Sequence, residues 1–163
     1  MTSMPQSKSF QVTALDTNDA ENVIQAIEVL HRCFSDKERY SIERLGNELV
    51  PESISKSVGF YRQFFVATIN ECDTERVVGV AGVKAADWAS DTHVLYMSAV
   101  HPEYRNRGIG KKLVKTRIDW IHSQFVAGRV LVSTAKIERF KQFGFKAVTQ
   151  SSEASRSIML MEF

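Results

Sequence analysis

The sequence has little of what marks linkers, membrane spans or secretory leaders. Its 163 residues include only three prolines and eight glycines, too few for a low-complexity linker. No run of about eighteen apolar residues occurs, which excludes a membrane-spanning helix. Residues 1–8 are polar and lack the apolar centre of a secretory signal. We therefore expect a flexible N-terminal tail over residues 1–8, a cytoplasmic location and no membrane partner.

Cysteine is also scarce. The two cysteines, Cys33 and Cys72, form no CxxC pair and have no cluster of histidines near them. A closed zinc site needs about four sulfur or imidazole ligands, so we expect no metal. A disulfide between the two stays open, although this usage fits reduced cytoplasmic thiols better.

The chain has no strong excess of charge of either sign. Its 21 lysines and arginines nearly balance 19 aspartates and glutamates, and the formal net charge is +2. The basic cluster at residues 105–117 has no interleaved aromatic residues, so we expect no nucleic-acid partner. A content of 44% hydrophobic and 25% charged residues is ordinary for a globular protein. This length predicts a single domain over residues 1–163.

Hydrophobic periodicity predicts strands and helices in the order β-α-α-β-β-β-α-β-α-β-β, without an internal repeat. The predicted strands cover Ser9–Leu15, Gln63–Asn70, Arg76–Lys84, Thr92–Val100, Val130–Val132, Phe145–Thr149 and Ser157–Phe163. The predicted helices cover the apolar stripe from Val23 to Phe34, then Tyr40–Val50, Lys111–Phe125 and Ile137–Phe143. Asn18, with Glu21 after it, is expected to cap the first helix.

The segment from Val94 to Leu113 gives the clearest indication of chemistry. A mainly apolar strand leads into a polar turn, then into two glycines and a helix with a basic first turn. The first amides of a helix have no partner within it, and the helix dipole places partial positive charge there. Glycines let a ligand approach the backbone. Positive charge is added by Arg105, Arg107, Lys111 and Lys112. The pattern predicts a phosphate-binding site.

Two common phosphate motifs do not fit this segment. The dinucleotide fingerprint GxGxxG fails because Leu113 stands at its third glycine. The P-loop fails because Arg105 stands at its first glycine and Lys112 at its serine or threonine.

The run Arg105-Asn106-Arg107-Gly108-Ile109-Gly110 matches the phosphate-loop signature Q/R-x-x-G-x-G/A, and here the sequence resembles the GNAT superfamily of acyl-CoA-dependent N-acyltransferases. The lead-in from Ala99 to Tyr104 and the downstream Phe143-Gly144-Phe145 are also similar to that family. The resemblance covers nearly the whole chain. It implies an α/β (α+β) fold, with a mixed, mostly antiparallel twisted sheet of about six or seven strands and about four flanking helices. A V-shaped splay is expected between two parallel central strands, Thr92–Val100 and Val130–Thr134.

The resemblance also implies acetyl-CoA as the acyl donor. Backbone amides from Arg105 to Gly110 would hold the diphosphate, and the strand end at Ser98–Val100 would pair with the pantetheine arm. Lys111, Lys112 or Arg107 would meet the 3′-phosphate. The residues implied to bind the cofactor are Ser98, Ala99, Val100, Arg105, Asn106, Arg107, Gly108, Ile109, Gly110, Lys111, Lys112, Ser133 and Phe140.

Two positions depart from the family's catalytic pattern. Phe140 stands where many members have a tyrosine that protonates the leaving thiolate, and Val94 stands where many have a carboxylate that deprotonates the amine. Alternation along the strand predicts that Tyr96 and Ser98 share a face with Val94. The candidate catalytic residues are therefore Tyr96, which would order a water, Ser98, and Ser133, which would bond the thiol or the thioester oxygen.

Two functions stay open at this point. One is transfer of an acetyl group from acetyl-CoA to a primary amine by direct attack in a ternary complex, since no cysteine stands in an acyl-carrier motif. The other is an acyl-CoA-binding regulatory or sensor module with weak or no turnover, which the two departures favour. The run Ser133–Ala135, with Phe140 and Phe143, resembles the branch related to bacterial N-acetylglutamate synthases. The acceptor, a small molecule or a peptide, is not specified, and the resemblance suggests a homodimer.

Overall fold

The computed structural model describes residues 9–50, 60–148 and 156–163. The strands are β1 (Phe10–Ala14), β2 (Arg62–Glu71), β3 (Thr74–Ala85), β4 (Thr92–Val100), β5 (Arg129–Thr134), β6 (Lys146–Ala147) and β7 (Ser157–Glu162). The helices are α1 (Ala20–Cys33), α2 (Ile42–Leu49), α3 (Ile109–Gln124) and α4 (Ile137–Lys141), and a 3₁₀ turn at Pro102–Tyr104 links β4 to α3. The predicted tail, residues 1–8, and the end of the predicted strand at Thr149 lie outside the described residues.

The seven strands form one sheet in the order β1-β2-β3-β4-β5-β7-β6. Neighbouring strands run antiparallel, except that β4 and β5 run parallel. The predicted fold is confirmed: the sheet is mixed, mostly antiparallel and flanked by helices, with one parallel pair at its centre. Among the described residues, no helix is both long enough and apolar enough to cross a membrane.

The start of α1 differs from the prediction by one residue. Asp19, and not Asn18, is the N-cap, because the Asp19 carboxylate accepts a hydrogen bond from the backbone N–H of Asn22. The backbone N–H of Asn18 instead donates to the carboxylate of Asp16 at 2.9 Å. Asn18 therefore belongs to the turn before the helix.

The sheet separates two hydrophobic cores. The core under α3 and α4 contains Leu113, Ile121 and Val132, and the core under α1 and α2 contains Leu30 and Leu45. Burial of one such side chain contributes roughly 1.5–3 kcal/mol. This packing on both faces fixes the positions of the helices around the end of β4, where the candidate site lies.

β4 and β5 separate halfway along their length. Their Cα pairing ends with Leu95 opposite Val132, although β4 continues to Val100 and β5 to Thr134. The predicted V-shaped splay between the two strands is thereby confirmed. Past Leu95, the edge of β4 that faces β5 has backbone groups that β5 does not pair.

A β-bulge lies on β4 just beyond this point. The register of its pairing with β3 shifts, and Met97 has a φ of 48°. The bulge changes the alternation of side chains, because Tyr96 and Ala99, three residues apart, both pack against the α1–α2 core. Alternation therefore does not hold across the bulge, and the prediction that Tyr96 and Ser98 share a face stays a prediction.

A buried arginine fastens α3 to the sheet beside the bulge. Arg117 is 1% exposed, and its guanidinium donates hydrogen bonds to the carbonyls of Leu113 at 3.2 Å and Gly82 at 3.0 Å. Burial lowers the pKa of Arg117 to about 9, which leaves the group charged at neutral pH. Since Gly82 pairs with Tyr96, this contact holds α3 against the part of the sheet where β4 bends.

Candidate active site

A cleft of about 410 Å³ opens where β4, α1, α3 and α4 meet. Its walls are the splayed half of β4, the loop that leads to α3, the first turn of α3 and the start of α4. It runs from the Ser98–Val100 end of β4 to the phosphate-loop motif, and Tyr96 does not line it.

The first turn of α3 brings free backbone N–H groups to this cleft. Gly108, the N-cap, has a φ of 83°, a left-handed conformation that glycine adopts without strain. No side chain caps α3, and the N–H of Lys112 donates to the carbonyl of Gly108 at 3.0 Å. The N–H groups of Ile109, Gly110 and Lys111 precede that bond and have no acceptor within the helix. They form an anion-binding helix start.

Positive side chains surround these amides. Arg105, Lys136 and Arg139 line the cleft, and a Cβ added at Gly110 would lie 2.8 Å from Nη1 of Arg139. Burial, and then the charges of Arg139 and Arg105, lower the pKa of Lys136. The three cations line one cleft, which favours an anion as their partner.

Most of the predicted cofactor residues line the cleft, and several do not. Those that line it are Ser98, Ala99, Val100, Arg105, Asn106, Gly108, Ile109 and Gly110. Those that do not are Arg107, Lys111, Lys112, Ser133 and Phe140. Arg107 lies over the ring of Tyr104 at 5.0 Å, while Lys111 and Lys112 are exposed on α3. Their contacts with a ligand stay predictions.

The predicted catalytic residues lie on both arms of the splay. Tyr96 is the first residue of β4 beyond the last pair with β5. Ser98 lines the cleft, and Ser133 is exposed near the end of β5. Arg156 donates a hydrogen bond to the hydroxyl of Ser133 at 3.3 Å and another to its carbonyl at 2.6 Å. In the part of the chain that the structure describes, the Ser133 hydroxyl donates to no other group.

Phe140 belongs to the core and not to the surface of the site. Its ring is 6% exposed and packs edge to face against Phe145, with centroids 5.3 Å apart. Phe140 therefore packs in the core and has no proton to donate to the leaving thiolate. Val94 likewise has no chemistry to offer on β4, as the sequence indicates.

A carboxylate that sequence reasoning missed reaches β4 from α2. The hydroxyl of Tyr96 donates to Oε1 of Glu48 at 2.7 Å, and Nε of Arg62 lies 3.4 Å from the same oxygen. Burial, and then the hydrogen bond and charge of Glu48, raise the pKa of Tyr96 well above its ordinary value. Tyr96 therefore stays protonated, and its hydroxyl lies beside Glu48 on the α1–α2 side of the sheet.

Two other cavities lie away from this cleft. One of about 560 Å³, between α1 and the β2–β3 hairpin, is lined by charges of both signs, among them Glu28, Arg32 and Glu75. Another of about 520 Å³ lies under the loop between β3 and β4, beside Trp88 and His93. Neither contains the first turn of α3 or the splay.

The residues that the structure describes contain no group of three or more His, Cys, Asp or Glu side chains that would hold a metal ion. Cys33 and Cys72 are both free thiols, so the disulfide left open by the sequence is not formed.

The sequence matches the model of the acetyltransferase (GNAT) family over residues 26–145. The chain belongs to this family. The resemblance seen in the phosphate-loop motif is thereby confirmed, whereas the likeness to the N-acetylglutamate synthase branch stays a prediction. No curated protein matches this GNAT sequence at a significant level.

Solved structures share the GNAT fold of this chain at low sequence identity. The PaiA N-acetyltransferase of Thermoplasma acidophilum, in complex with coenzyme A, is 19% identical with a TM-score of 0.66, and the match covers 95% of this chain and 99% of that one. The ribosomal-protein-S18-alanine N-acetyltransferase of Escherichia coli is 17% identical with a TM-score of 0.64, covering 95% and 93%. An aminoglycoside 6′-acetyltransferase of type Ii is 19% identical with a TM-score of 0.67, covering 93% and 96%. At these identities the likeness supports the fold alone.

The residues that sequence reasoning missed come from outside the phosphate-loop motif. Lys136 and Arg139 stand three residues apart, a helical spacing that places two cations on one side of a short helix. The spacing of these two cations is visible in the sequence, but the position of their helix opposite α3 depends on the fold. Glu48 gave no signal, because one carboxylate on a polar helix is ordinary.

Proposed function

We propose that the protein transfers an acetyl group from acetyl-CoA to a primary amine by direct attack in a ternary complex. The observation that carries this proposal is the single cleft that joins helix amides without an acceptor in α3, three cations and the edge of β4 that β5 does not pair. A diphosphate needs N–H donors and cations, and a pantetheine arm with its amides fits an unpaired strand edge. The coenzyme A bound to the PaiA relative supports the same choice of donor.

Different residues of the cleft would bind the nucleotide end and the thioester end of acetyl-CoA. The amides of Ile109 and Gly110, with Lys136 and Arg139, would hold the diphosphate. The β4 segment from Ser98 to Val100 would pair with the pantetheine arm and direct the reactive end towards the apex of the splay. The exposed basic residues of the motif, Arg107, Lys111 and Lys112, remain available for the 3′-phosphate.

Acetyl-CoA supplies the acetyl group as a thioester, which an amine can attack. A backbone N–H near Val100, on the unpaired edge of β4, would stabilise the negative charge that develops on the thioester oxygen. A thiolate with a pKa of about 8.5 leaves without a strong acid. The hydroxyl of Ser133, oriented by Arg156, would donate a hydrogen bond to the departing sulfur, so the phenylalanine at position 140 does not prevent turnover.

The alternative function is an acyl-CoA sensor with weak or no turnover. It is favoured by the burial of Phe140 in the core and by the apolar Val94 at the family's carboxylate position. Both functions use the same cleft, so turnover distinguishes them.

The test combines acetyl-CoA binding by calorimetry with thiol release in the presence of amines, amino acids and peptides. The proposal predicts binding between about 1 μM and 1 mM and amine-dependent thiol release matched by an acetylated product in mass spectrometry. Binding without thiol release across the panel would favour the sensor. A chain that ignores acetyl-CoA at millimolar concentration would contradict both functions.

A substitution in the first turn of α3 tests where the donor binds. In Gly110→Asp, the new carboxylate would pair with the Arg139 guanidinium and repel a diphosphate. We expect acetyl-CoA affinity to fall about 10- to 100-fold, the range for charged hydrogen bonds. Ser123→Asp adds the same charge at the other end of α3 and should leave the affinity within about twofold. Equal affinities of the two variants would place the donor elsewhere.

A further inference from the structure

We propose that Glu48 is the general base of this transferase and takes the proton of the acceptor amine through the hydroxyl of Tyr96. This inference rests on the proposed function and names the group that removes the proton. It also accounts for how a chain with valine at the family's carboxylate position can still carry out the reaction.

Position is the first argument. Tyr96 stands directly after the last residue of β4 that pairs with β5, so it lies at the apex of the splay. Its ring packs on the α1–α2 face of the sheet, whereas the phosphate-binding amides belong to α3, which packs on the opposite face. An amine that approaches from the α2 side would meet the Tyr96 hydroxyl close to where the acetyl group must be held.

The hydrogen-bond direction is the second argument. Tyr96 donates its only hydroxyl proton to Oε1 of Glu48 at 2.7 Å. Within residues 9–50, 60–148 and 156–163 no group donates to the Tyr96 oxygen, so it can accept a hydrogen bond from an ammonium group. A proton that arrives at Tyr96 can be passed on as the original one moves to Glu48, so no tyrosinate has to form.

The charges around the pair are the third argument. Arg62 of β2 lies 3.4 Å from the Glu48 oxygen, and Nζ of Lys84 of β3 lies 4.5 Å from the centre of the Tyr96 ring. Arg62 thus contacts the carboxylate that would receive the proton, and Lys84 lies against the ring of the tyrosine that would pass it on. The side chain of Glu48 is 22% exposed, so it can release that proton to water after each turnover.

The ammonium group gives one proton to Tyr96, whose own proton passes to Glu48, and the freed nitrogen lone pair forms the C–N bond. The C–S bond breaks, and its electron pair leaves on sulfur. The second proton of the nitrogen goes to that thiolate, so the products are the amide, the thiol of coenzyme A and a protonated Glu48.

The test compares the dependence of kcat/KM on pH in wild type, Glu48→Gln and Tyr96→Phe, with Glu43→Gln as the matched control on the exposed side of α2. Removal of a general base costs about 10²- to 10⁴-fold, so both site variants should lose at least about 100-fold at neutral pH. The loss should shrink above the pKa of the amine, because the amine then arrives deprotonated. Affinity for acetyl-CoA should stay within about twofold in all four proteins.

The outcomes separate the base from the function. An active wild type in which Glu48→Gln behaves as Glu43→Gln at every pH overturns the role of Glu48 and leaves the transferase in place. A loss that is equal at all pH values also overturns it, since a merely structural role would produce that result. Should Glu48→Gln fail to fold, Tyr96→Phe keeps the buried ring and decides alone. A wild type that binds acetyl-CoA without turnover overturns the proposed function, and this step with it.

Discussion

Arg139 takes part in the site although it stands about thirty residues after the phosphate-loop motif. Its guanidinium lies over the first turn of α3, close enough that a side chain at Gly110 would touch it. The helix amides alone supply only partial charge, whereas Arg139 supplies a full positive charge beside them. At the scale of the residue, binding of a diphosphate therefore depends on a side chain that the motif does not contain.

The variant Arg139→Gln tests this dependence. It removes one charge beside the amides, and acetyl-CoA affinity should fall about tenfold, the lower end for a charged hydrogen bond. Lys141→Gln is the control on the same short helix, since Lys141 is exposed and pairs with Glu138. Calorimetry should show no more than a twofold change for the control. A control that weakens binding as much as Arg139→Gln would mean that general surface charge, and not this contact, attracts the donor.

Single residues differ in how far the sequence reveals them. Gly108 was predictable because a left-handed helix start beside a ligand requires glycine, and the structure gives it a φ of 83°. Glu48 was not, because its importance depends on a hydrogen bond across 48 residues of chain to Tyr96. Local sequence patterns predict the backbone conformation that a residue must adopt, but they do not predict side-chain partners that are distant along the chain.

At the scale of elements, the turn of the β2–β3 hairpin has a strained backbone that its polar sequence did not reveal. The sequence predicts a turn over residues 71–75, and the structure makes it with only two residues between Glu71 and Thr74. Both of them, Cys72 and Asp73, have positive φ, at 50° and 62°. Such a turn prefers Asn-Gly, because other residues are strained in this conformation.

The double variant Cys72→Asn/Asp73→Gly should therefore be more stable than wild type. Relief of left-handed strain is worth roughly 1 kcal/mol per residue, so the free energy of unfolding in urea should rise by about 1 kcal/mol or more. Cys72→Ser removes the exposed thiol without relieving the strain and should change stability little. A double variant no more stable than Cys72→Ser would show that the turn is not strained.

The bulge in β4 marks the limit of prediction for elements. The strand itself was predicted with the bounds that the structure has, Thr92–Val100, because the segment is mainly apolar. The extra residue at Met97 left no pattern in that run. Since one inserted residue reverses every later side chain, the faces of Tyr96 and Ser98 could not be derived from alternation.

At the scale of the whole molecule, the parallel pairing of β4 with β5 was expected from the family resemblance and not from periodicity, and the full order of strands in the sheet was not predicted. Pairing of β4 with β5 and of β5 with β7 joins segments distant along the chain, and no local signal encodes it.

The same packing buries His93, which is 3% exposed. Its Nδ1 shares a hydrogen bond with the hydroxyl of Tyr61, with 2.5 Å between the two atoms. Among the described residues, its Nε2 has no hydrogen-bond partner.

This burial predicts acid sensitivity of the fold. Burial lowers the pKa of His93 in the folded state, against a smaller opposing effect of Asp91. Below about pH 6.5 the unfolded chain then binds more protons than the folded one, so stability falls as pH drops through that value. His93→Gln should flatten this dependence in urea unfolding between pH 7 and pH 5. We assign the remaining slope to His101, because burial and the nearby arginines also lower the pKa of that side chain.

The exposed His122 supplies the control for that measurement. His122→Gln should keep the wild-type dependence of stability on pH. If His93→Gln kept it too, the acid sensitivity would have to come from other groups.

The central claim is that free amides at the start of α3 grip the diphosphate of acetyl-CoA while its thioester reaches the apex of the splay. A crystal structure of the acetyl-CoA complex tests it most directly. The account predicts the diphosphate within hydrogen-bond distance of the N–H groups of Ile109 and Gly110, and the thioester beside Tyr96. A nucleotide bound in the cavity between α1 and the β2–β3 hairpin, with those amides unengaged, would contradict it.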